Sequence, residues 1–174
     1  MRKVIHTFTI LTLLAACTSM HGDGELMIRN KVWSENETTF VLHDYLVGGV
    51  GGKDDFQRLR FIDKKTGSLL SENELGPFAL IESFGDNKYF AALSMYTAST
   101  PNFAVFDTNG KVLLSELVDY GTGHCSEVRL SVSQYIWWFD YSSLESVVKF
   151  SDDGSEVLVS GYVNNVTCRF KFPE

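Results

Sequence analysis

One hairpin phrase recurs in this chain at nearly constant spacing. It reads "FIDKKTGSLLSE" at 61–72, "VFDTNGKVLLSE" at 105–116 and "KFSDDGSEVLVSG" at 149–161. The aromatic before each turn is Phe61, Phe106 and Phe150, at intervals of 45 and 44 residues. The turn glycine is Gly67, Gly110 and Gly154, at intervals of 43 and 44. Repetition in that range marks blade-like β units. Each turn pairs Asp, Asn, Ser or Lys with a glycine able to take positive φ, which a short hairpin needs.

Further strands fit between the hairpins. "LMIRNKVW" (26–33) and "TTFVLHDYL" (38–46) precede the first hairpin. "FALIESF" (78–84) and "YFAALSMY" (89–96) flank the turn Gly85-Asp86-Asn87. "SEVRLSVS" (126–133), "IWWFDY" (136–141) and "VTCRFKF" (166–172) complete the set. In 126–133, Val128, Leu130 and Val132 alternate with polar residues, the pattern of a half-buried antiparallel strand. With three prolines and no long 3.6-residue period, little of the chain is left for helix. The expected fold is all-β: a small β-propeller-like body of about three four-stranded antiparallel units, with the terminal unit closed by both chain ends. Three units is below the usual blade count, so an incomplete or sandwich-like version stays open.

The N-terminus carries an address. Met1-Arg2-Lys3 is basic, and the apolar stretch from Val4 to Leu14 is too short to span a bilayer. It ends in Leu14-Ala15-Ala16-Cys17, which resembles the lipobox of bacterial lipoprotein precursors. That resemblance implies removal of residues 1–16, lipidation of Cys17, a tether over 17–25 and a domain over 26–174. Several acyl chains hold a protein at a membrane far more firmly than one. Thr18, rather than Asp, follows the cysteine, which in such lipoproteins favours the outer membrane. The alternative is a plain signal peptide cleaved near Ala16. Either way the expected location is the periplasm.

Loss of Arg2 and Lys3 leaves 13 basic against 22 acidic residues, a formal charge of −9 for the mature chain. That excess argues against electrostatic binding of nucleic acid or of an anionic membrane surface, and is compatible with a basic protein partner. Roughly 150 residues suffice for one domain with a real core. Cys125 and Cys168 remain, and in an oxidising compartment such a pair is expected to be bridged. Closing their 43-residue interval would contribute about 4 kcal/mol in the chain-entropy model. The competing reading is a reactive Cys125 beside His124.

A meander sends successive turns to opposite ends of its sheet. The tight turns (34–37, 63–67, 85–87, 107–110, 151–154) are therefore expected on one rim. The longer connections (47–55, 72–77, 97–102, 119–125, 141–145) are expected on the other, where binding usually resides. The candidate partner-binding residues are Thr97, Ser99, Thr100 and Asn102, with Gly51, Lys53 and Asp54 in the glycine-rich connection. Asp119, Thr122, His124, Ser126 and Tyr141 complete them.

No catalytic set emerges. "VGGVGGKDD" has Val47 and Asp54 where a P-loop needs Gly and Ser or Thr. His43-Asp44 and His124 lack metal-ligand spacing, and no G-x-S-x-G surrounds any serine. No metal, cofactor or nucleic acid is expected, and no enzymatic role. "YIWWFDY" (135–141) is apolar on both strand faces, as between packed sheets. Its other reading makes Trp137 or Tyr141 an anchor for a protein partner.

Lipidation signal, three-unit β body and acidic charge together resemble periplasmic immunity proteins that protect bacteria from peptidoglycan amidases delivered by the type VI secretion system. The resemblance implies a propeller-like fold and a loop inserted into the amidase cleft. Hydroxyls of Thr97, Ser99 or Thr100, or of Thr122 or Ser126, would meet the enzyme's histidine. Asp54, Asp55 and Asp119 would steer a basic toxin. The alternative is a non-catalytic scaffold or assembly lipoprotein that binds another envelope protein through the same rim.

Overall fold

The computed structural model describes residues 27–47, 57–76, 78–95, 101–119, 122–130, 136–140, 143, 145–162 and 167–173. The expected signal peptide, Cys17 and the tether lie outside these, as do Gly51, Lys53, Asp54, Asp55, Thr97, Ser99, Thr100 and Tyr141. Every regular element within them is a β-strand, so the body is all-β. The first sheet is an antiparallel meander of β1 (Met27–Glu35), β2 (Thr39–Val47), β3 (Gln57–Asp63) and β4 (Leu69–Asn73). The second repeats that plan with β5 (Leu80–Phe84), β6 (Tyr89–Leu93), β7 (Phe103–Asp107) and β8 (Val112–Glu116). A two-stranded ribbon of β9 (Arg129–Leu130) and β10 (Ile136–Trp137) follows. The last sheet has β11 (Val148–Phe150), β12 (Glu156–Ser160) and β13 (Thr167–Lys171).

The second sheet is the middle layer, and its sequence says why. Successive side chains on a strand point to opposite faces, and "YFAAL" and "FAVFD" are apolar on both. Phe90, Ala92, Ala104 and Phe106 pack with Val41, Leu59 and Phe61 of the first sheet. Ala91, Leu93, Phe103 and Val105 pack on the other side with Val157, Val159, Cys168 and Phe170 of the last sheet, and with Ile136 and Trp138. A strand buried on both faces is a continuous apolar run rather than an alternation. The leading strands meet at their edges: β1 and β11 each lie alongside β5.

The three repeated turns share one chemistry. Asp63 Oδ1 accepts from the Thr66 amide at 2.6 Å and the Thr66 hydroxyl at 2.7 Å. Asp107 Oδ1 accepts from the amides of Asn109 and Lys111 at 2.8 and 2.9 Å. Asp153 Oδ1 accepts from the hydroxyls of Ser151 and Ser155 at 2.7 and 2.8 Å. At Asp63 and Asp153 these bonds favour the ionised carboxylate, holding Asp63 below the ordinary value and Asp153 down at about 2. Gly110, at φ +80°, also makes a close approach: a Cβ there would overlap Ser71 Oγ and the Phe61 ring.

Two parts of the expected architecture are corrected. No sheet among the described residues is shared by the two chain ends: β1 pairs with β2, and β13 adds to β12. The third unit is also not one four-stranded meander, because its hairpin β11–β12 comes first in its sheet, whereas β3–β4 and β7–β8 come third and fourth. The cause lies in the ribbon. The Ile136 amide donates to Met95 O at 2.6 Å, and Trp138 Nε1 donates to Ser94 O at 2.7 Å. This stretch is thus anchored to the second sheet's connection and leaves β11 without it, while β13 fills the far side of β12. Leu130, expected inward, is 60 % exposed, while Val128 is buried.

Candidate functional site

Most of the hydrogen bonds between connections join tight turn to tight turn or long connection to long connection; one, from Asn73 Nδ2 to Gly110 O, crosses between the two kinds. The Asn36 side chain donates to Asn87 O, and the Thr39 hydroxyl donates to Thr108 O. Lys64 Nζ donates to Asn36 O, and Gly85 is seated against Phe150 and Tyr89. The tight turns are therefore tied together. At the opposite strand ends, Asn102 joins Val118, His124 joins Arg169, and the Asp140 amide donates to Ser160 O.

The best-built part of this second group comprises 117–119 and 122–130. Asn102 is wholly buried and spends its amide on the backbone of Val118: its Nδ2 donates to Val118 O at 2.8 Å, and its Oδ1 accepts from Val118 N at 2.7 Å. This candidate contact residue is a staple beneath the rim. Asp119 and Thr122 close a small turn, in which Thr122 Oγ1 accepts from Asp119 N and donates to Asp119 O. His124 lies flat on Phe170, with ring centroids 4.8 Å apart, and its Nε2 is 3.5 Å from Glu116 Oε2. Its carbonyl accepts from the Arg169 amide at 2.9 Å, and the next residue, Cys125, is disulfide-bonded to Cys168 of β13. The expected bridge is therefore present, and it fastens the connection ahead of the ribbon to the last sheet.

What that fastening displays is mixed in character. Cys125, Ser126, Glu127, Val128 and Arg129 line a pocket of about 230 Å³. Ser126 and Thr122 are exposed residues, but the Thr122 hydroxyl is spent on the Asp119 backbone. Leu117, Leu130 and Tyr162 are exposed large apolar residues at the same end of the strands. Trp137 stands half-exposed with its ring 5.2 Å from that of Tyr162, whereas Ile136, Trp138 and Phe139 are buried. The aromatic run thus divides between core and surface. Glu116, Asp119 and Glu127 make the surroundings acidic, with Arg129 among them.

The His43-Asp44 pair belongs elsewhere. Both are buried on β2. Asp44 Oδ2 accepts from Arg58 Nη2 at 3.2 Å, and Asp44 Oδ1 accepts from Arg60 Nη2 at 3.0 Å. Arg60 Nε stands 2.6 Å from Asp44 Oδ2, a charge contact whose N–H is turned away from the oxygen. Burial of a carboxylate is tolerable only when it is paired and hydrogen-bonded in this way. The cross-strand register, Asp44 opposite Arg58 and Leu42 opposite Arg60, explains the cluster. Arginines at alternate positions of β3 were its sequence signal. Among the described residues, no group of three His, Cys, Asp or Glu side chains is placed to hold a metal ion.

Glu82 was not foreseen. It projects from the edge of β5, where its Oε1 accepts from the Val148 amide at 2.6 Å and the Ser146 hydroxyl at 3.0 Å. Burial raises its pKa above the ordinary value, and those hydrogen bonds only partly offset the shift. It caps the edge of β11 and so joins the second sheet to the last. Nothing local in "LIESF" announces that role. No family model, curated protein or solved structure matches this chain.

Proposed function

We propose that this protein is a periplasmic lipoprotein of the immunity type, which binds a cell-wall-degrading amidase of the type VI pathway and blocks its active site. The observation that carries this reading is the rim of 117–119 and 122–130. A disulfide and the Asn102–Val118 staple hold it rigidly, yet it presents exposed Leu117 and Leu130 beside exposed Thr122 and Ser126. Rigid apolar anchors among hydrogen-bonding groups are what a tight protein interface requires, because little entropy is lost on docking. The Ser126 hydroxyl would face the enzyme's histidine, with Thr122 holding the turn beside it. Asp119 and Glu127 favour a basic partner, mainly through association rate. The lipobox-like Leu14-Ala15-Ala16-Cys17 supplies the periplasmic setting.

The test is affinity capture from an envelope extract with the full chain. A stoichiometric cell-wall hydrolase, silenced on binding, is the expected result. Leu130→Asp should weaken that complex by about tenfold or more, since a charge replaces an interface anchor. Capture of envelope barrel or transport proteins alone would overturn inhibition in favour of the scaffold reading.

A further inference from the structure

A second surface lies on the last strand of the first sheet, which shares no residue with this rim. In the order β1-β2-β3-β4, β4 is a sheet edge. Of the other edges, β1 lies along β5, Glu82 caps β11, and the His124 backbone joins Arg169 of β13. β8 is likewise the outer strand of its sheet, but none of its residues is an exposed large apolar one. Among the described residues, no strand pairs beyond β4. This edge also carries Leu69 and Leu70, exposed to 54 % and 38 %. A solvent-facing edge with apolar side chains is a template for another strand, and proteins normally blunt it with charge.

The charges around β4 are instead graded along it. At the turn stand Lys64 and Lys65; at the far end stand Glu72 and Glu74, both exposed. Lys64 is committed to Glu35 at 2.8 Å and Glu72 to Arg58 at 3.5 Å, which leaves Lys65 at the turn and Glu74 at the far end as the exposed charges. Reading outward, the hairpin runs basic, apolar, acidic. A strand with that gradient complements itself when reversed. Antiparallel pairing of two such edges with Leu69 opposite Leu70 at the centre places each Lys65 opposite Glu74 of the other copy. Two-fold symmetry then makes every favourable contact twice, and opposite charges across an antiparallel pair are stabilising.

We infer that β4 is a self-association edge, through which two copies join antiparallel into one continuous eight-stranded sheet. The rim of 117–119 and 122–130 takes no part, so this inference stands or falls independently of the inhibitor reading.

The experiment is sedimentation velocity of the full chain in detergent over a dilution series, with circular dichroism confirming the fold of each variant. The wild type should show a reversible monomer–dimer equilibrium. Leu70→Lys should weaken it by about a hundredfold, because a charge is placed at the centre of the pairing. Lys65→Glu and Glu74→Lys should each weaken it roughly tenfold, since symmetry counts each lost pair twice. The double variant K65E/E74K should recover most of the loss, which a folding defect would not do. A wild type monomeric at every concentration would overturn the inference. So would a dimer indifferent to Leu70→Lys, or charge variants that the double exchange fails to rescue.

Discussion

The two faces of the middle sheet are closed by different means. Toward the first sheet, contact is built from regular pieces: four-residue turns, complete four-stranded ladders and a glycine that lets one hairpin rest on its neighbour. Gly110 lies on Phe61, whose ring is 5.2 Å from Phe106 and 5.8 Å from Phe90. Asn73 Nδ2 donates to Gly110 O at 2.9 Å to complete that junction. Toward the last sheet the ladders are short, and bulk and a covalent link replace them. Phe103 stacks with Phe170 at 4.2 Å and meets Trp138 edge-on at 5.9 Å, and Cys125–Cys168 lies beside them. Where strand pairing is interrupted, aromatic burial and a closed loop hold what backbone hydrogen bonds do not.

That contrast can be broken most directly at the disulfide. Replacing Cys125 and Cys168 together with Ala should cost about 4 kcal/mol of unfolding free energy, measured by urea denaturation. A loss below about 1 kcal/mol would show that the rings alone hold the C-terminal side. On the other face, Gly110→Ala should cost roughly 2–3 kcal/mol, because the residue sits at positive φ and its Cβ has no room. An unchanged denaturation midpoint would mean that the hairpin is free to lift off Phe61. Asn102→Ala should cost about 1–3 kcal/mol by leaving the Val118 N–H and C=O without their buried partner. The same variant should also loosen the rim, read as faster amide exchange at Val118.

The smallest expected effect sharpens the comparison through pH. Glu82 binds its proton more tightly in the folded chain than in the unfolded one. Its contribution to stability therefore declines as pH rises from the unfolded value near 4.5 through its raised folded value. Asp153 behaves oppositely: its stabilisation is present above 3.8 and is lost as pH falls toward about 2. Glu82→Gln should flatten the upper slope and leave the lower one intact, seen as denaturation midpoints between pH 3 and 7. An unaltered upper slope would remove Glu82 from the junction between the second and last sheets.

Of the candidate site, the part rooted in short-range chemistry was legible. The disulfide followed from reading Leu14-Ala15-Ala16-Cys17 as an export signal, which leaves two cysteines for an oxidising compartment. The exposure of Thr122 followed from its place in a long connection. His124 and Asn102 were singled out by type and position, yet their side chains turn toward Phe170 and Val118. That direction depends on partners 46 and 16 residues away. Tyr162, Leu117 and Glu82 gave no local signal, since their meaning comes from neighbours brought by the fold.

By itself, the sequence determined the all-β character, the three hairpins with their Asp-anchored turns, and the bridge between Cys125 and Cys168. Each rests on φ preferences, on side-chain-to-backbone bonds within a few residues, or on redox chemistry that needs no map of the fold. Only the tertiary structure decided that the second sheet is the middle layer, that β11–β12 leads its sheet, and that Leu130 faces water while Trp138 is buried. Those outcomes turn on which strands and surfaces compete for the same apolar area over long separations. In that contest, the bonds of Ile136 and Trp138 to the second sheet prevailed over continuation of the repeat.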